Sequence, residues 1–358
     1  MNTKPSLARF LLAVIVSAAC ILLLGCPKDS KEEDTVTDTD TTTDTDYDYD
    51  YDDEPTDTCE YRPDPLPPQY NWTYQTAPVG QTTARYYAPA SPVGLVVLFD
   101  GGGGVPIWFN RIEPRRLVEA LVDAGYAIVA LESDDPTDGN FDPTDAATNV
   151  DIVNLQTAIG QMESTGQIPA DTPIFYLGFS SGGFFGSLAT RYEPAHALVL
   201  LNVRGDSATY DPALNPDSPP PTLWVIGEND SRVLPDDAGL LTNQSFIDAA
   251  GVSWESYINE PIGASEYAFA RIADPSSAVS ASDSADAVSQ LFDAGYLDPC
   301  NIPVNESANL DLTVIALEPS FTAPFTEEAK RQIDELYGAH EITSDFNDEI
   351  VAFLDAHQ

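Results

Sequence analysis

Residues 174–186, IFYLGFSSGGFFG, decide the fold of this chain. Their first half is an apolar run typical of a buried strand, and the half after the two serines is typical of a helix. The pattern Gly-x-Ser-x-Gly fits this stretch when it is centred on Ser180. Centred on Ser181 it fails, because Phe179 would stand at the first glycine position. A sharp strand-to-helix turn explains the spacing, since only small residues fit where strand and helix approach each other. The stretch therefore predicts Ser180 as a nucleophile.

Strand-like and helix-like segments alternate on both sides of this stretch, from about residue 70 to about residue 260. The runs at 94–104, GLVVLFDGGGG, and at 223–230, LWVIGEND, are continuous apolar segments that lead into polar or glycine-rich loops. Amphipathic segments separate such runs. Apolar strands alternating with amphipathic helices predict an α/β fold, with a mostly parallel central sheet covered by helices on both faces.

This alternation stops at 261–338, which we interpret as a late insertion resembling a cap or lid. Two helices are predicted within it, near 285–292 and 327–336, together with a possible strand at 310–317. A last amphipathic helix follows at about 344–356, with Thr343 or Ser344 as its predicted N-cap.

The strand, the serine turn and the helix together resemble the α/β-hydrolase family of serine esterases and lipases. The resemblance covers about residues 70–260 and the last helix, and it implies the chain order serine, acid, histidine. Asp230 stands three residues after Gly227, at the end of a buried strand, where similar hydrolases keep the acid. Other acids and amides fit less well: Asn229, Asp236, Asp237 and, as the runner-up after the preceding strand, Asp206.

The histidine follows by exhaustion, because the chain contains only three. His340 lies just before the last helix, where similar hydrolases carry the catalytic histidine. His196 precedes Asp230 in the chain, and His357 is one residue from the end. The chain departs from the family pattern in having no histidine between Asp230 and His340. An alternative interpretation is therefore a catalytically inactive, hydrolase-like surface lipoprotein that binds rather than cleaves.

A glycine-rich loop, Asp100 followed by four glycines, resembles the His-Gly-Gly-Gly loop of lipases and esterases, with Asp100 in place of the histidine. The resemblance implies an oxyanion hole made by the backbone amides of Ser181 and of Gly102 or Gly103. A phosphate-binding loop is rejected because the Gly-Lys-Ser/Thr ending is absent. The mechanism needs no metal or cofactor, and none is predicted.

The amino-terminal region predicts export. Residues 1–25 have a short positive region and an apolar core, and they end in Leu-Leu-Gly before Cys26. This resembles a bacterial lipoprotein signal peptide, which implies that Cys26 is lipidated and anchors the chain in the cell envelope; an ordinary secretory signal is the alternative. Residues 26–58 are rich in Asp and Thr and predict a disordered acidic tether. The hydrolase-like domain is then residues 59–358.

The cysteine content and the net charge indicate the redox state of the thiols and exclude some classes of partner. With Cys20 in the signal peptide and Cys26 lipidated, Cys59 and Cys300 are left as a predicted disulfide, two free thiols being the alternative. The formal net charge is −43, from 58 acidic and 15 basic residues, which disfavours binding to nucleic acid.

The predicted function is hydrolysis of a small-molecule or lipid carboxylic ester through an acyl-enzyme. Trp108, Phe109 and Phe184 lie near the predicted site in sequence and hint at an apolar or aromatic ester, although such residues are equally typical of a core. A peptidase or an acyltransferase would use the same catalytic residues.

Overall fold

The computed structural model of the chain describes residues 59–62, 72–80, 82–102, 107–135, 139–270, 279–311 and 323–358. The predicted signal peptide and lipidated Cys26, the acidic tether, Gly103, and residues 312–317 of the possible late strand lie outside the described residues.

The described residues form a central sheet of eight strands in the order β1-β2-β4-β3-β5-β6-β7-β8. Only β2 runs antiparallel to its neighbours, and all other pairs are parallel. The mostly parallel sheet predicted from the sequence is thus confirmed. The strands are β1 (Gln75–Val79), β2 (Thr82–Tyr87), β3 (Leu95–Phe99), β4 (Ala127–Leu131), β5 (Ile174–Phe179), β6 (Ala197–Leu201), β7 (Thr222–Gly227) and β8 (Trp254–Asn259).

Helices cover both faces of this sheet. The described helices are α1 (Ile107–Asn110), α2 (Ile112–Asp123), α3 (Val150–Ser164), α4 (Ser181–Ala189), α5 (Ser207–Tyr210), α6 (Ala238–Ala249), α7 (Ala281–Asp293), α8 (Ala323–Leu336) and α9 (Asn347–Asp355). Strand β3 shows why its sequence is continuously apolar. Val97 and Phe99 pack against α3 and α4 on one face, whereas Val96 and Leu98 pack against α2 and α9 on the other. A strand buried on both faces has no polar side, so alternation is lost.

The last helix begins later than the sequence predicts. Its N-cap is Phe346, which makes no side-chain capping hydrogen bond. The predicted caps are engaged elsewhere, because Thr343 Oγ1 accepts a hydrogen bond from Arg62 and the Ser344 hydroxyl donates one to Glu113. The predicted N-cap was therefore wrong, since long-range partners compete for these two hydroxyl groups.

The described residues of 261–338 lie outside the eight-stranded sheet and contain α7 and α8, which confirms the two predicted helices. Their apolar side chains form a separate hydrophobic cluster that includes Phe269, Leu291 and Ile333 and reaches Ile112 of α2. This segment thus has a small core of its own beside the sheet.

The segment 59–62 joins this small core to the chain before α9. The predicted disulfide between Cys59 and Cys300 is present, with the two Cα atoms 5.2 Å apart. The Arg62 side chain is 2% exposed and pairs with Glu335 at 2.5 Å and with Asp345 at 2.7 Å.

Candidate active site

A strained turn between β5 and α4 carries Ser180. Its backbone has φ 53° and ψ −124°, a conformation that non-glycine residues rarely adopt and that often marks functional sites. A Cβ atom at Gly178 would lie 2.5 Å from Gly183 Cα, and one at Gly182 would lie 2.2 Å from the Asp100 backbone oxygen. Both positions require glycine because the helix start is pressed against two strand ends. The sharp strand-to-helix turn predicted from the glycine spacing, here called the elbow, is therefore present.

The strand order, with only its second strand antiparallel, and the elbow after the central strand β5 define a known architecture. The chain has the α/β-hydrolase fold. In this fold the carboxyl ends of the parallel strands meet at one edge of the sheet, where the loops after β3, β5, β6, β7 and β8 lie side by side.

The three residues named from the sequence meet at this edge. His340 Nε2 lies 2.9 Å from Ser180 Oγ, and His340 Nδ1 lies 2.7 Å from Asp230 Oδ2. The partners are 160 and 110 residues away from His340 in the chain. Because a carboxylate only accepts hydrogen bonds, His340 donates from Nδ1, which leaves Nε2 to accept the proton of the Ser180 hydroxyl. The geometry suits proton transfer from serine to histidine.

The Asp230 carboxylate is held on both oxygens. Its side chain is 0% exposed, and its Oδ1 accepts hydrogen bonds from the backbone amides of Arg232 at 2.7 Å and Val233 at 3.2 Å. These two hydrogen bonds fix the plane of the carboxylate. The imidazole of His340 also contacts an aromatic ring: the centroids of the Phe179 and His340 rings are 5.1 Å apart. Phe179 therefore packs beside the imidazole.

The loop that carries His340 lies directly on the ends of β7 and β8. A Cβ atom at Gly227 would be 2.3 Å from the Gly338 carbonyl oxygen, and one at Gly338 would be 2.6 Å from the Asn259 oxygen. Gly338 also has a φ of +71°, which suits glycine. Helix α8 thus returns the chain to the sheet immediately before His340.

Two of the three predicted candidate donors of the oxyanion hole, Ser181 and Gly102, lie close together. Ser181 is the first residue of α4, so its backbone N–H belongs to the amides that a helix start leaves without an intrahelical partner. A Cβ atom at Gly102 would lie 3.6 Å from Ser181 Oγ and 2.6 Å from Asn140 Oδ1. At Gly101 it would instead meet the Phe179 ring at 2.7 Å. Gly102 therefore faces Ser181, while the other predicted donor, Gly103, lies outside the described residues.

Asp100, the residue in place of the lipase histidine, is 3% exposed. Its side chain accepts a hydrogen bond from the backbone amide of Ile107, on the far side of the glycine loop. Burial raises the pKa of the Asp100 carboxyl well above its ordinary value, and Glu132 adds to this, whereas Arg85 and Arg111 lower it. Asp100 thus links the end of β3 to the start of α1.

The competing candidates have structural roles. Asp206 Oδ2 pairs with Arg191 at 3.2 Å, and Asp237 caps α6. His196 Nδ1 accepts a hydrogen bond from the Ile174 amide, and His357 Nε2 is hydrogen-bonded to Ser253 Oγ at 2.7 Å.

The aromatic residues near the predicted site belong mainly to the core. Trp108 is fully buried, and Phe184 packs against the core cluster of α3 and α4. Phe109 contacts Tyr74, with ring centroids 4.6 Å apart, and lines a surface cleft that also includes Arg115. The hint of an aromatic ester therefore gains no support from Trp108 or Phe184.

The described residues contain no cluster of three or more His, Cys, Asp or Glu side chains able to hold a metal ion. None of their helices is both long enough and apolar enough to cross a membrane.

Several solved structures are similar to this chain at low sequence identity. No protein-family model matches the sequence, and no curated protein matches it. A sugar hydrolase from Lactococcus lactis is similar in structure, with 18% identity, 57% of this chain and 90% of the other covered, and a TM-score of 0.40. An esterase from Pyrococcus furiosus has 16% identity, coverage of 54% and 88%, and a TM-score of 0.38. A carboxyl esterase from Tuber melanosporum has 15% identity, coverage of 56% and 79%, and a TM-score of 0.37. Because these TM-scores are low, the strand order and the elbow are the features that define the fold.

Proposed function

We propose that the chain is an exported, lipid-anchored serine hydrolase that cleaves carboxylic esters. The observation that carries the proposal is the pair of hydrogen bonds that joins Ser180 Oγ to His340 at 2.9 Å and His340 to Asp230 at 2.7 Å. A serine hydroxyl is inert unless a base removes its proton, and a base oriented by a buried carboxylate meets that need.

The reaction proceeds through an acyl-enzyme. Ser180 Oγ attacks the ester carbonyl carbon while His340 Nε2 takes the hydroxyl proton. The amides of Ser181 and Gly102 stabilise the oxyanion of the tetrahedral intermediate. When the ester bond breaks, His340 gives its proton to the departing alcohol. Water, deprotonated by His340, then attacks the acyl group, and the carboxylic acid leaves with Ser180 restored.

The non-catalytic alternative was motivated by the long gap between Asp230 and His340. A catalytically inactive binding protein with this fold has no need to keep an imidazole within hydrogen-bonding distance of a strained serine. The 2.9 Å distance between His340 Nε2 and Ser180 Oγ therefore favours the catalytic proposal.

Export and anchoring are part of the same proposal. They are supported by the apolar segment that ends at Cys26 and by the disulfide between Cys59 and Cys300, a bond that persists in oxidising compartments. The acidic tether at 26–58 would let the hydrolase reach substrates away from the membrane surface. If Cys26 is lipidated, wild type partitions into a detergent phase, and Cys26→Ser partitions into the aqueous phase with its hydrolase activity retained. Aqueous partitioning of wild type would contradict the anchor without affecting the enzyme assignment.

A fluorophosphonate probe tests the catalytic assignment, because it modifies only activated serines. Wild type is expected to be labelled, and fragmentation of the adduct by mass spectrometry should locate the phosphorus on Ser180 rather than Ser181. Ser180→Ala and His340→Ala should lose labelling and should lower kcat for short-chain esters by roughly 10⁴-fold or more.

Matched controls are available for both substitutions. Ser164 is exposed at the end of α3, and His357 is engaged with Ser253, so Ser164→Ala and His357→Ala should label as wild type. Labelling that persists in folded Ser180→Ala, or its absence from folded wild type, would sink the assignment.

A further inference from the structure

Three asparagines stand at the carboxyl ends of three adjacent strands. Asn202 directly follows β6, Asn229 lies just after β7, and Asn259 is the last residue of β8. Each donates a hydrogen bond from its side-chain Nδ2 to a backbone carbonyl in the segment that carries His340. The acceptors are Glu335 O, 3.2 Å from Asn259; Tyr337 O, 2.8 Å from Asn229; and Glu341 O, 2.5 Å from Asn202.

Asn202 is the most constrained of the three. It is 4% exposed, and its φ of 52° lies in the left-handed region. Its side-chain Oδ1 accepts a hydrogen bond from the Gly227 amide at 2.9 Å, while its Nδ2 holds the Glu341 carbonyl. One amide group therefore links the strand end that leads to Asp230 with the residue directly after His340. Because both ends of the amide are engaged, its orientation is fixed.

Asn229 and Asn259 hold the other side of His340. The backbone amide of Asn229 donates to Gly338 O at 2.9 Å, in addition to the contact of its side chain with Tyr337. The carbonyl of Asn259 accepts a hydrogen bond from the Glu228 amide at 3.0 Å, so its backbone also borders the acid loop. The last carbonyl groups of a helix such as α8 have no intrahelical hydrogen-bond donor, and the Nδ2 group of an asparagine can donate to them.

We infer that Asn202, Asn229 and Asn259, here called the asparagine cradle, position His340 between Ser180 and Asp230. This inference rests on the proposed function and deepens it. The cradle touches none of the reacting atoms and acts only through the backbone on either side of the imidazole. Its neutral side chains hold the loop without adding a charge beside the His340–Asp230 pair. A displacement of about 1 Å can cost roughly 100-fold in rate, so such restraint has a catalytic consequence.

The competing explanation is that these asparagines merely satisfy buried polar groups. Under that explanation, removing one lowers stability but leaves His340 in place. Asn301 provides a matched control, because it too is an asparagine with positive φ, 58°, and its Nδ2 donates to the Ala264 carbonyl at 3.4 Å. It lies in the segment after β8, beside Cys300, and no hydrogen bond is described between it and the His340 loop.

The test compares Asn202→Gly with Asn301→Gly in the mature chain. Glycine tolerates positive φ, so both substitutions delete side-chain hydrogen bonds without adding backbone strain. For short-chain esters, Asn202→Gly should lower kcat by about 10- to 100-fold with KM within about twofold, and Asn301→Gly should change kcat by less than about twofold.

A second measurement does not depend on turnover. In protein with isotope-labelled histidines, the proton on His340 Nδ1, which faces Asp230, should give a low-field NMR signal. The signal is assigned to His340 because it should disappear in His340→Ala. Asn202→Gly should broaden or shift this signal, whereas Asn301→Gly should leave it unchanged. If Asn202→Gly does not fold, Asn229→Ala replaces it in both measurements, since Asn229 is only half-buried.

Different results would overturn the positioning role of the cradle and the proposed function. An unchanged signal and kcat within about twofold of wild type in a folded cradle variant would overturn the cradle, whatever the activity of wild type. Wild type that neither reacts with the probe nor cleaves esters would overturn the proposed function, while the NMR comparison would still test the positioning of His340.

Discussion

The two halves of the candidate site are built in opposite ways. Ser180 is presented by a turn whose sequence signature, Gly178 and Gly182, lies within two residues of it, although Gly182 also packs against the end of β3. His340 arrives after an excursion of about 80 residues away from the sheet, and the ends of three other strands hold its loop. The serine half is therefore marked by a local sequence pattern, whereas the histidine half is a property of the assembled fold. Substitutions in the two halves should therefore have different effects on activity and on the free energy of unfolding.

The largest effect is expected from breaking the local half with Gly182→Ala. The added Cβ would lie 2.2 Å from a backbone oxygen of Asp100 and 2.5 Å from one of Phe99, neither of which can move aside as a side chain would. The elbow cannot close, so probe labelling and kcat/KM should fall by roughly 10³-fold or more.

Gly160→Ala is the matched control for this change. Gly160 lies within α3, and a Cβ there meets nothing within 4 Å. Alanine at this position should leave activity unchanged and raise the free energy of unfolding by about 0.5–1 kcal/mol. Wild-type activity in folded Gly182→Ala would contradict the claim that the local half depends on these glycines.

The next largest effect is expected from Arg62→Met, which disturbs the histidine half from a distance. The substitution leaves the buried carboxylate of Glu335 and its neighbour Asp345 without their cation, at a cost of about 3–5 kcal/mol in the free energy of unfolding. Because Glu335 and Asp345 flank the His340 loop, kcat should also fall while KM stays nearly constant. Denaturant unfolding and ester kinetics measure the two effects.

Arg85→Met is the corresponding control. Arg85 pairs with Glu132 at 2.6 Å, but these side chains are 22% and 28% exposed, so the loss should be about 1 kcal/mol or less. Equal losses in the two variants would argue that Arg62 has no special role beneath the His340 loop.

A smaller effect is expected from removing the disulfide with Cys59→Ser and Cys300→Ser together. The bond closes a loop of 241 residues, so the unfolded chain gains freedom and the free energy of unfolding should fall by about 2–4 kcal/mol. Arg62 still pairs with Glu335, so kcat measured well below the melting temperature should remain within about threefold of wild type. A collapse of kcat in the folded double variant would show that the disulfide itself positions the histidine half.

The smallest effect is expected from Asp100→Asn, which should change the free energy of unfolding in a pH-dependent way. The folded Asp100 keeps its proton to a higher pH than the unfolded chain does, because burial raises its pKa. As the pH rises above the ordinary pKa of an aspartate, the unfolded state loses its proton first and is favoured. Asparagine removes this dependence, so it should stabilise the protein at pH 7 and have little effect near pH 4.

Urea unfolding across this pH range checks the prediction. Asp217 is exposed, and Asp217→Asn should change the free energy of unfolding by no more than about 0.5 kcal/mol at either pH. Destabilisation by Asp100→Asn at pH 7 would contradict the direction assigned to the pKa of Asp100.

Sequence patterns predicted most of the architecture because those patterns are local. Runs such as 95–99 and 197–201 are apolar throughout since both faces of the sheet are covered. The glycine spacing around Ser180 reflects two close approaches, of the start of α4 to the ends of β5 and β3. Ser180, Asp230 and His340 could be named because each stands directly after a recognisable strand or before the last helix. The cradle was missed, although its signal was present: an asparagine at or just after the end of a buried or edge strand, three times in succession.

By itself, the sequence determined the alternation of strands and helices, the elbow, and the identity of the histidine, since only three histidines exist. Only the tertiary structure decided how His340 returns across the excursion, why Thr343 and Ser344 do not cap α9, and that Trp108 belongs to the core. The physical reason is distance along the chain. Periodicity and spacing record interactions between near neighbours, whereas the His340 loop is held by Asn202, more than a hundred residues away. A local pattern can place an asparagine at a strand end, but it does not identify the distant carbonyl that the asparagine binds.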